Sequence, residues 1–544
     1  MAELSVAEQV ENALDEKRSF LVEAGAGSGK THTLVHGLRH LLSQHRSELQ
    51  RRGKSIACIT YTNVARRQII ERIADDPLVH VSTIHEFLWS VIGDFQQPLK
   101  AEILVYNTEL KKPEELTGWP TQDRITYSDR GRRLAEGRIS HDDVLRLALR
   151  LATRHPKLIQ IIADRYPYIL VDEYQDTARE TVGLLLDHLA EAGRDRCVVG
   201  LFGDSMQQIY QHGVGAVAHP KLTVIPKHEN YRSAPLIVDV LNQMRPELPQ
   251  QAVRIQEGGE VHLFLPRPGL TGPERLKAAQ ETLRALEWSE PDTKYLMLTH
   301  RGIAGTLEYP GLLRLFTKLS GFARDRFLDG TDFFAQYMLQ IEALCQAYEA
   351  KNYVDLSFLL GKGAMKVTQH SRKAEIAQHM GEILNLRLSG TIGEVFDQVH
   401  RRGLIVKPKA LRSMERMIAT TDLDEKSQRK ADFARDLRAL SYAEAMAYTK
   451  FFNEATPFAT QHGVKGDEFE NVVVVIDDEA WNQYKVGNML AGRDIEARLR
   501  RSRNLFYVCC SRAEQRLAVV FMTELPMEAE AVARKWFASG TVHD

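Results

Sequence analysis

The chain has 544 residues, enough for several domains that each bury a core of their own. Hydrophobic residues make up 44% and charged residues 26%, a globular composition that excludes a largely disordered chain. The formal net charge of −1 excludes nucleic-acid binding through overall basicity, so any basic binding surface has to be local.

Three other features of the sequence limit which chemistry, location and binding surfaces the protein can have. The five cysteines form no C-x-x-C pair, so we expect reduced core residues and neither zinc ligands nor disulfides. The N-terminus has no signal-peptide pattern and no apolar run could span a membrane, so we expect a soluble, cytoplasmic protein with no membrane partner. Basic residues form local clusters, for which solvated faces balanced by acids are the simpler interpretation. The clusters are Arg130, Arg132, Arg133 and Arg138; Arg401, Arg402, Lys407, Lys409 and Arg412; and Arg498, Arg500, Arg501 and Arg503.

The first chemistry-bearing segment is a glycine-rich loop. It reads Ala24-Gly25-Ala26-Gly27-Ser28-Gly29-Lys30-Thr31 and lies between an apolar run and a helical pattern. Such a loop turns tightly and aims backbone N–H groups at a phosphate chain, and the helix N-terminus adds partial positive charge. Lys30 would reach the β- and γ-phosphates, and the Thr31 hydroxyl would hold Mg²⁺. The simple pattern G-x-x-x-x-G-K-[ST] fails at Ala24, and we expect Gly25 and Gly27 to supply the flexibility instead. A glycine-rich turn with an accidental G-K-T is the alternative.

The first half of the chain alternates predicted strands and helices, which indicates a parallel sheet. The predicted strands are Phe20–Val22, Ile56–Thr60, Val79–Val81, Tyr168–Val171 and Val198–Leu201. Helices are predicted over Val6–Leu14 and Val64–Ile73, and a polar stretch around residues 117–120 with a helix near Asp142–Thr153 marks an insertion.

A second parallel sheet is predicted in the other half. Its strands are Val261–Phe264, Tyr295–Leu298, Val472–Ile476 and Leu517–Phe521. The long segment inside it is mainly helical, and one helix is predicted to follow a cap at Thr331 or Asp332. Its apolar stripe favours a core position over a binding face: Phe334, Tyr337, Met338, Ile341, Leu344, Cys345 and Tyr348.

A second chemistry-bearing segment ends one of the buried strands. Asp172 and Glu173 follow Ile169-Leu170-Val171, at the edge where a parallel sheet presents its ligands. Asp172 can hold Mg²⁺ through water, and Glu173 can orient and deprotonate the water that attacks the γ-phosphate. A strand ending in Asp-Glu is common by chance, but its combination with an upstream phosphate loop is specific.

These two segments resemble those of superfamily 1 DNA helicases of the UvrD/Rep type, and further segments follow in the order of that family. They are Gln9; Ile59–Ala65, similar to TFTNKAA; Ser82–Phe87, similar to TFHS; Gly203–Tyr210, similar to GDxxQSIY; Glu229–Ser233, similar to NYRS; Thr460–Phe469, similar to TxHxxKGLEF; and Asn504–Ala513, similar to LxYVxxTRA. The resemblance implies an α/β fold with two RecA-like P-loop NTPase cores, each interrupted by a mainly helical insertion.

The resemblance also implies roles for individual residues. Catalytic roles fall to Lys30, Asp172, Glu173, Gln207, Arg232 and Arg512, with Thr31 and Asp172 at Mg²⁺. ATP contacts fall to Gln9, Ala24, Gly25, Ala26, Gly27, Ser28, Gly29, Lys30, Thr31, Tyr210 and Glu468. DNA contacts fall to Thr60, Thr62, Asn63, Thr83, His85, His212, Thr460 and His462.

The predicted domain boundaries follow the two sheets. Residues 1–85 and 151–250 form the first core, and residues 86–150 an inserted subdomain. Residues 251–300 and 455–544 form the second core, and residues 301–454 a helical insertion.

The resemblance implies an ATP- and Mg²⁺-dependent DNA helicase or translocase, moving 3′→5′ on single-stranded DNA or from a single-stranded end, in phage defence or DNA repair. Departures from the pattern leave an alternative open. Gln211-His212-Gly213 replaces an aromatic-Arg-Gly, Asp467 replaces a leucine, and the insertions are shorter. The alternative is a DNA-end or nucleotide-sensing NTPase that regulates a nuclease, because the layout resembles the helicase subunit of Gabija anti-phage systems, which works beside an OLD-family nuclease. An NTPase acting on RNA is a third interpretation.

Overall fold

The computed structural model describes twelve ranges of the chain. They are residues 4–116, 124–128, 131–190, 197–209, 213–289, 292–297, 300–361, 370–421, 423–453, 457–460, 464–479 and 482–544. The predicted turn at residues 117–120, Arg130 and Leu298 lie outside the described residues.

The first half of the chain folds around a parallel sheet of six strands in the order β3-β2-β6-β7-β1-β8. The strands of this half are β1 (Phe20–Ala24), β2 (Ile56–Thr60), β3 (Val79–Thr83), the short pair β4 (Thr126–Tyr127) and β5 (Arg138–Ile139), β6 (Tyr168–Asp172), β7 (Val198–Gly203), β8 (Thr223–Lys227) and β9 (Glu229–Asn230). The helices are α1 (Val6–Asp15), α2 (Lys30–Arg52), α3 (Asn63–Arg72), α4 (Ile84–Ile92), α5 (Gln96–Thr108), α6 (His141–Arg154), α7 (Pro156–Arg165), α8 (Arg179–Gly183) and α9 (Pro235–Met244).

The second half folds around another six-stranded parallel sheet, in the order β13-β12-β14-β15-β11-β16. Its strands are β11 (Glu260–Phe264), β12 (Thr293–Met297), β13 (Phe458–Thr460), β14 (Phe469–Ile476), β15 (Ala513–Phe521) and β16 (Thr541–His543), preceded by the short β10 (Gln251–Ala252), which pairs with β9. The helices are α10 (Gly272–Ala285), α11 (His300–Thr306), α12 (Pro310–Leu319), α13 (Gly321–Leu328), α14 (Phe333–Glu349), α15 (Tyr353–Gly361), α16 (His370–Ser389), α17 (Ile392–Arg401), α18 (Lys409–Met417), α19 (Glu425–Ala439), α20 (Tyr442–Phe452), α21 (Val486–Leu490), α22 (Glu496–Cys510) and α23 (Met527–Trp536).

The two sheets share one strand order, which confirms the predicted class of two RecA-like cores. In chain order, the six strands of each sheet take the same positions across it, with the third strand at one margin and the sixth at the other. The insertions differ in position: helices interrupt the first sheet after its third strand, β3, and the second sheet after its second strand, β12.

Both faces of the first sheet are buried, which explains its almost continuous apolar strands. Alternate residues of β1 point to opposite faces: Phe20 and Val22 pack in a cluster with α1, α2 and α3, and Leu21 packs in another with α4 to α7. The helices of residues 86–150, predicted as an inserted subdomain, therefore share one continuous hydrophobic cluster with the sheet.

The insertion in the second half has a core of its own. The predicted apolar stripe of α14 is confirmed: Phe334, Tyr337 and Met338 lie at its centre, fully buried. The helix begins after Asp332, whose carboxylate accepts a hydrogen bond of 2.8 Å from the Phe334 N–H. Asp332 is thus the N-cap, which confirms one of the two predicted cap residues.

The predicted boundary between the cores at residue 250 is wrong. Helix α9 was expected in the first core, yet Ile237 and Val240 pack in one cluster with Val261 and Leu263 of β11. Because an amphipathic helix belongs to the sheet that its apolar face covers, α9 is a layer of the second core. The chain leaves the first sheet after β8, well before residue 250.

The described residues bear on three features of the composition: the cysteines, the apolar segments and the basic clusters. All five cysteines are free and buried. Within the described ranges, no helix is both long enough and apolar enough to cross a membrane. Members of the three basic clusters pair with acids, as in Arg132–Asp143 and Arg402–Glu382.

Gly200 sits in the middle of β7, and replacing it with alanine should destabilise the first core. A Cβ there would lie 2.7 Å from both Leu170 Cδ2 and Phe20 Cζ, so the core would have to shift. We expect a loss of about 1–3 kcal/mol, seen as a lower unfolding temperature in calorimetry. Gly381→Ala is the control, because nothing lies within 4 Å of a Cβ on that helical residue. Equal unfolding temperatures for the two variants would contradict the packing described here.

Candidate nucleotide and nucleic-acid site

The predicted phosphate loop is the turn between β1 and α2. Gly27 and Gly29 have φ values of 68° and 74°, in the left-handed region that favours glycine. The Ser28 hydroxyl donates a hydrogen bond of 2.7 Å to the Gly25 carbonyl and tightens the turn. Lys30, the first residue of α2, is buried. A left-handed glycine turn that leads into a helix N-terminus is an arrangement suited to phosphate.

Gly25 is needed for space, and the prediction that it supplies flexibility is wrong. Its φ is not left-handed, but a Cβ on it would lie 2.3 Å from Cδ of Gln250. At Gly27 glycine is needed both for its left-handed φ and for space, because a Cβ there would lie 2.7 Å from Cβ of Arg232. The loop is therefore closely covered by residues that follow the first sheet in sequence.

Two adjacent carboxylates lie beside the loop, at the end of β6. The Thr31 hydroxyl donates a hydrogen bond of 3.2 Å to Oδ2 of Asp172, which links the end of the loop to the strand. Glu173 has a φ of 51°, a strained backbone for a residue with a side chain. The Gln175 side-chain amide donates to the Glu173 carboxylate and fixes its direction.

The two carboxylates have opposite pKa shifts. Burial and the neighbouring charge of Glu173 raise the pKa of Asp172 above its usual value. Burial also acts to raise the pKa of Glu173, but the charges of Lys30 and Lys465 outweigh it and hold that pKa below its usual value. The site therefore keeps Glu173 ionised, the state that a general base requires.

Residues of the second core reach the phosphate loop from the other side. We call this contact surface, formed by the loop with residues 230–250, 465–468 and 504–512, the core seam. Arg232 donates to the Ser511 carbonyl at 2.9 Å and pairs with Glu468 at 2.7 Å. Glu468, predicted to contact ATP, is thus bound to Arg232 and half exposed.

Arg512 is fully buried next to Arg232. Its guanidinium donates to the carbonyls of Val508 at 3.0 Å and Asp467 at 3.2 Å, both in the second core. Burial, together with the charge of Arg232, lowers the pKa of Arg512 to about 10. Arg512 also acts on Glu173 across the core seam, since its charge contributes to lowering the pKa of that carboxyl. The two predicted arginines therefore lie together and close to the loop.

Gln207, which was predicted as catalytic, is held by Asp204 and Lys465. Its side-chain amide donates to Asp204 at 2.9 Å, and its carbonyl accepts a hydrogen bond of 2.7 Å from Lys465. Lys465 also forms an ion pair with Asp176, three residues after Glu173. Burial raises the pKa of Asp176 to about 6 despite that ion pair. The lysine thus joins the second core to both predicted catalytic segments of the first.

A buried ion network lies behind the loop. Arg245 donates to Asp204 and Glu23, each at 2.5 Å, and is almost fully buried. Glu23 also accepts hydrogen bonds from the Tyr174 hydroxyl and the Ser205 hydroxyl. Because buried charges are stable only when paired, this network fixes how the core seam closes.

The remaining predicted ATP contacts are less informative. The Gln9 side-chain amide donates to the Leu4 carbonyl at 2.8 Å, at the start of α1, which packs on α2. Tyr210, His212 and His462 lie outside the described residues.

Several predicted DNA contacts lie on the same sheet edge as the ATP site. Thr83 and Thr60 end β3 and β2 and are register partners, and Val171 next to Asp172 pairs with Ile59. Across the sheet, the carboxyl ends therefore run from Thr83 through Thr60 and Asp172 to the phosphate loop after β1. Thr460 ends β13 at the margin of the second sheet.

The segment after β2 presents an aromatic side chain that was not singled out from the sequence. The Thr62 hydroxyl caps α3 by accepting from the Ala65 N–H at 3.1 Å, and Asn63 is exposed. Tyr61, between Thr60 and this cap, is 41% exposed. Exposed aromatic rings of this kind stack on bases.

His85 lies in a row of rings that joins the first core to its helical insertion. Its ring stacks on His141 at 4.3 Å between centroids, and Tyr127 and Trp89 continue the row at 5.3 and 6.0 Å. Burial and the neighbouring His141 lower the pKa of His85 to about 4, so it is neutral at physiological pH. The ring is available as an apolar surface and not as a cation.

Five residues of the core seam were absent from the predicted site. Lys465, Tyr507 and Asn230 lie inside segments that resemble those of the helicase family, but no role was predicted for them. Arg245 and Gln250 lie on either side of residues 246–249, after α9, where the sequence contains no recognised motif. Their contacts join residues far apart in the chain, so only the fold brings them together.

A phosphate loop after β1, a carboxylate pair at the end of β6 and basic residues from a second core with a similar sheet define a P-loop nucleotide hydrolase with two RecA-like cores. Comparisons with known proteins narrow this class. An AAA domain model matches residues 7–213. The chain is 23% identical to "Gabija protein GajB" of Bacillus cereus over 94% of each chain. It is 28% identical to "ATP-dependent DNA helicase PcrA" of Bacillus subtilis over 41% of this chain and 37% of that protein, and 26% identical to the Staphylococcus aureus PcrA over 44% and 39%. The resemblance drawn from the motifs is confirmed: the chain is similar to UvrD-like, ATP-dependent helicases of superfamily 1, and it is similar along its length to a Gabija protein.

Replacing Arg232 should affect ATP hydrolysis far more than replacing its partner. Arg232→Ala removes a cationic side chain whose Cβ packs against Gly27. We expect kcat to fall about 10²- to 10³-fold. Glu468→Ala should change kcat less than about threefold, because the ion pair is solvent-exposed on the Glu468 side. Steady-state ATPase assays measure both, with Arg324→Ala, an exposed arginine of the helical insertion, as control. Equal effects at Arg232 and Glu468 would contradict this division of roles.

Proposed function

We propose that this protein is an ATP- and Mg²⁺-dependent DNA motor that hydrolyses ATP in the core seam and moves 3′→5′ on single-stranded DNA. The observation that carries the proposal is the position of Arg232. Its Cβ packs against Gly27 of the phosphate loop while its guanidinium bonds to Ser511 of the second core. A cation there would neutralise charge on the transferred phosphate only when the two cores are closed.

The residues of the first core suit the chemistry of hydrolysis. Lys30 would neutralise the β- and γ-phosphates, and Glu173, held ionised, would orient the attacking water. The Thr31 hydroxyl and Asp172 carboxylate oxygens, 3.2 Å apart, suit Mg²⁺, which binds few protein oxygens and keeps water ligands. When bound, the ion would neutralise phosphate charge. Arg512 would join from the second core by exchanging its present carbonyl partners for phosphate oxygens.

Movement would follow from opening and closing of the core seam. Lys465, Arg232 and Arg512 come from the second core and depend on closure for their contacts with the first. A cycle of ATP binding and release would therefore shift one core against the other, which is the motion that stepping along a strand needs.

DNA is the proposed track, in the form of a single strand or a duplex with a single-stranded end. The exposed carboxyl edge with Tyr61, Thr62 and Asn63 offers a stacking ring and polar groups near the nucleotide site. The predicted contacts of His85, Thr460, His212 and His462, and of Tyr210 and Gln9 with the nucleotide, remain part of the proposal. A cytoplasmic location and a role in phage defence or DNA repair belong to it as well.

Single-stranded DNA should stimulate ATP hydrolysis by the purified protein, and two substitutions should abolish turnover. Lys30→Ala removes the phosphate-binding cation, and Glu173→Gln removes the base without changing its shape; each should lower kcat at least about 10²-fold. Glu173→Gln should still bind ATP, which separates binding from chemistry. ATPase activity that does not respond to DNA would rule out the motor. Full turnover in either variant would rule out the proposed site. RNA of the same sequence serves as competitor and distinguishes an RNA motor.

A second candidate function is regulation of a partner nuclease with little unwinding. The observation that favours it is the extent of similarity: the match to the Gabija protein covers 94% of both chains, whereas the match to the Bacillus subtilis PcrA covers 37% of that helicase. In this proposal the chain senses DNA ends or nucleotides and signals to an OLD-family nuclease.

Co-expression with the products of neighbouring genes discriminates the two functions. We expect a nuclease to co-purify with the tagged protein if regulation is the function, and the Glu173→Gln variant should alter its DNA cleavage. Efficient unwinding of a duplex with a 3′ single-stranded tail by the chain alone, with no partner recovered, would favour the motor.

A further inference from the structure

Ala26 of the phosphate loop is held by the second core through both its backbone N–H and its backbone carbonyl. The Ala26 N–H donates to the Tyr507 hydroxyl at 3.1 Å. The Ala26 carbonyl accepts one hydrogen bond from the Asn230 side-chain amide and one from that of Gln250, each at 3.1 Å. All four residues are buried. The orientation of the two peptide groups that flank Ala26 therefore depends on three side chains that lie outside the first sheet.

Gln250 uses every hydrogen-bonding group it has in this position. Besides Ala26, its side-chain N–H₂ donates to the Glu229 carbonyl at 3.3 Å, and its oxygen accepts from Asn230 at 3.5 Å. Its backbone is fixed by Asn242 of α9, which accepts from the Gln250 N–H at 2.7 Å and donates to its carbonyl at 2.9 Å. Gln250 thus transmits the position of α9, a helix of the second core, to the phosphate loop.

The loop is shaped to receive this side chain. A Cβ on Gly25 would lie within 2.5 Å of three atoms of the Gln250 amide group. Gly25 has no left-handed φ that would otherwise require glycine. The absence of a side chain at residue 25 is therefore explained by the presence of Gln250.

We propose that Gln250 is a positioning residue for ATP binding, which, with Tyr507 and Asn230, orders the phosphate loop only while the cores are closed. The inference rests on the proposed function and adds a coupling device to it. If the second core moves away, the two peptide groups that flank Ala26 lose these three partners, and the loop loses the preorganisation that lowers the entropy cost of binding phosphates. Because coupling is reciprocal, ATP binding then favours closure of the core seam.

Gln250→Met tests the proposal, because methionine keeps the length of the side chain and removes the hydrogen bonds. We expect the KM for ATP to rise about tenfold, the scale of one buried hydrogen bond lost from an ordered site. The value of kcat should stay within about twofold, because Lys30, Glu173 and Arg232 are unchanged. Gln251→Ala is the matched control, since the next residue is also glutamine and is exposed.

A second readout does not depend on activity. Amide hydrogen exchange of the peptide containing residues 24–31, in the nucleotide-free protein, should be faster in Gln250→Met and unchanged in Gln251→Ala. Tyr507→Phe removes the acceptor of the Ala26 N–H and should shift exchange in the same direction. In the double variant the effects should be less than additive, because both act on the backbone of one residue.

The outcomes separate this inference from the function on which it rests. Unchanged exchange and unchanged KM in both Gln250→Met and Tyr507→Phe would overturn the coupling, even if DNA stimulates the wild-type ATPase. Faster loop exchange in a protein whose ATPase ignores DNA would support the coupling and contradict the motor. A lower kcat at constant KM would assign Gln250 to the chemical step and overturn its role in binding.

Discussion

The structure depends on the parallel alignment of strands that are buried on both faces. Because β1, β6 and β7 run side by side in one direction, the phosphate loop, Asp172 and Gly203 all emerge at the same edge. Both faces of these strands pack in hydrophobic clusters, so a shift by one residue would force both clusters to repack. The spacing of catalytic groups at this edge is thus set by the interior of the sheet.

Closure of the core seam concentrates charge in a place from which water is largely excluded. Arg245 and Arg512 are each at most 3% exposed, and Asp204 is fully buried. Pairing of Arg245 with Asp204 and Glu23 compensates the loss of solvation, whereas the hydrogen-bond partners of Arg512 among the described residues are carbonyl and hydroxyl groups, which is consistent with its lowered pKa. Arg512 therefore lies near the loop as a buried cation, in a position that suits a phosphate.

Much of the fold could be predicted because its central strands are short apolar runs between turn residues. The margins could not: β8 carries exposed Val224, and β13 and β16 have only three residues each. The core to which α9 belongs could be assigned only after the structure showed which sheet its apolar face covers. Of the site, the motif residues were predictable from local spacing, but Gln250 and Ala26 are 224 residues apart, and no local pattern encodes their contact.

The two helical insertions differ in how they are attached, and this makes the halves mechanically unequal. Helices α4 to α7 share a hydrophobic cluster with the first sheet, so they move with it as one body. The helices from α12 to α20 enclose a core of their own and connect to the second sheet through the chain after β12 and before β13. The first insertion is consequently fixed to the sheet that carries the phosphate loop, whereas the second is packed mainly on itself, so the two insertions would respond differently to a displacement at the nucleotide.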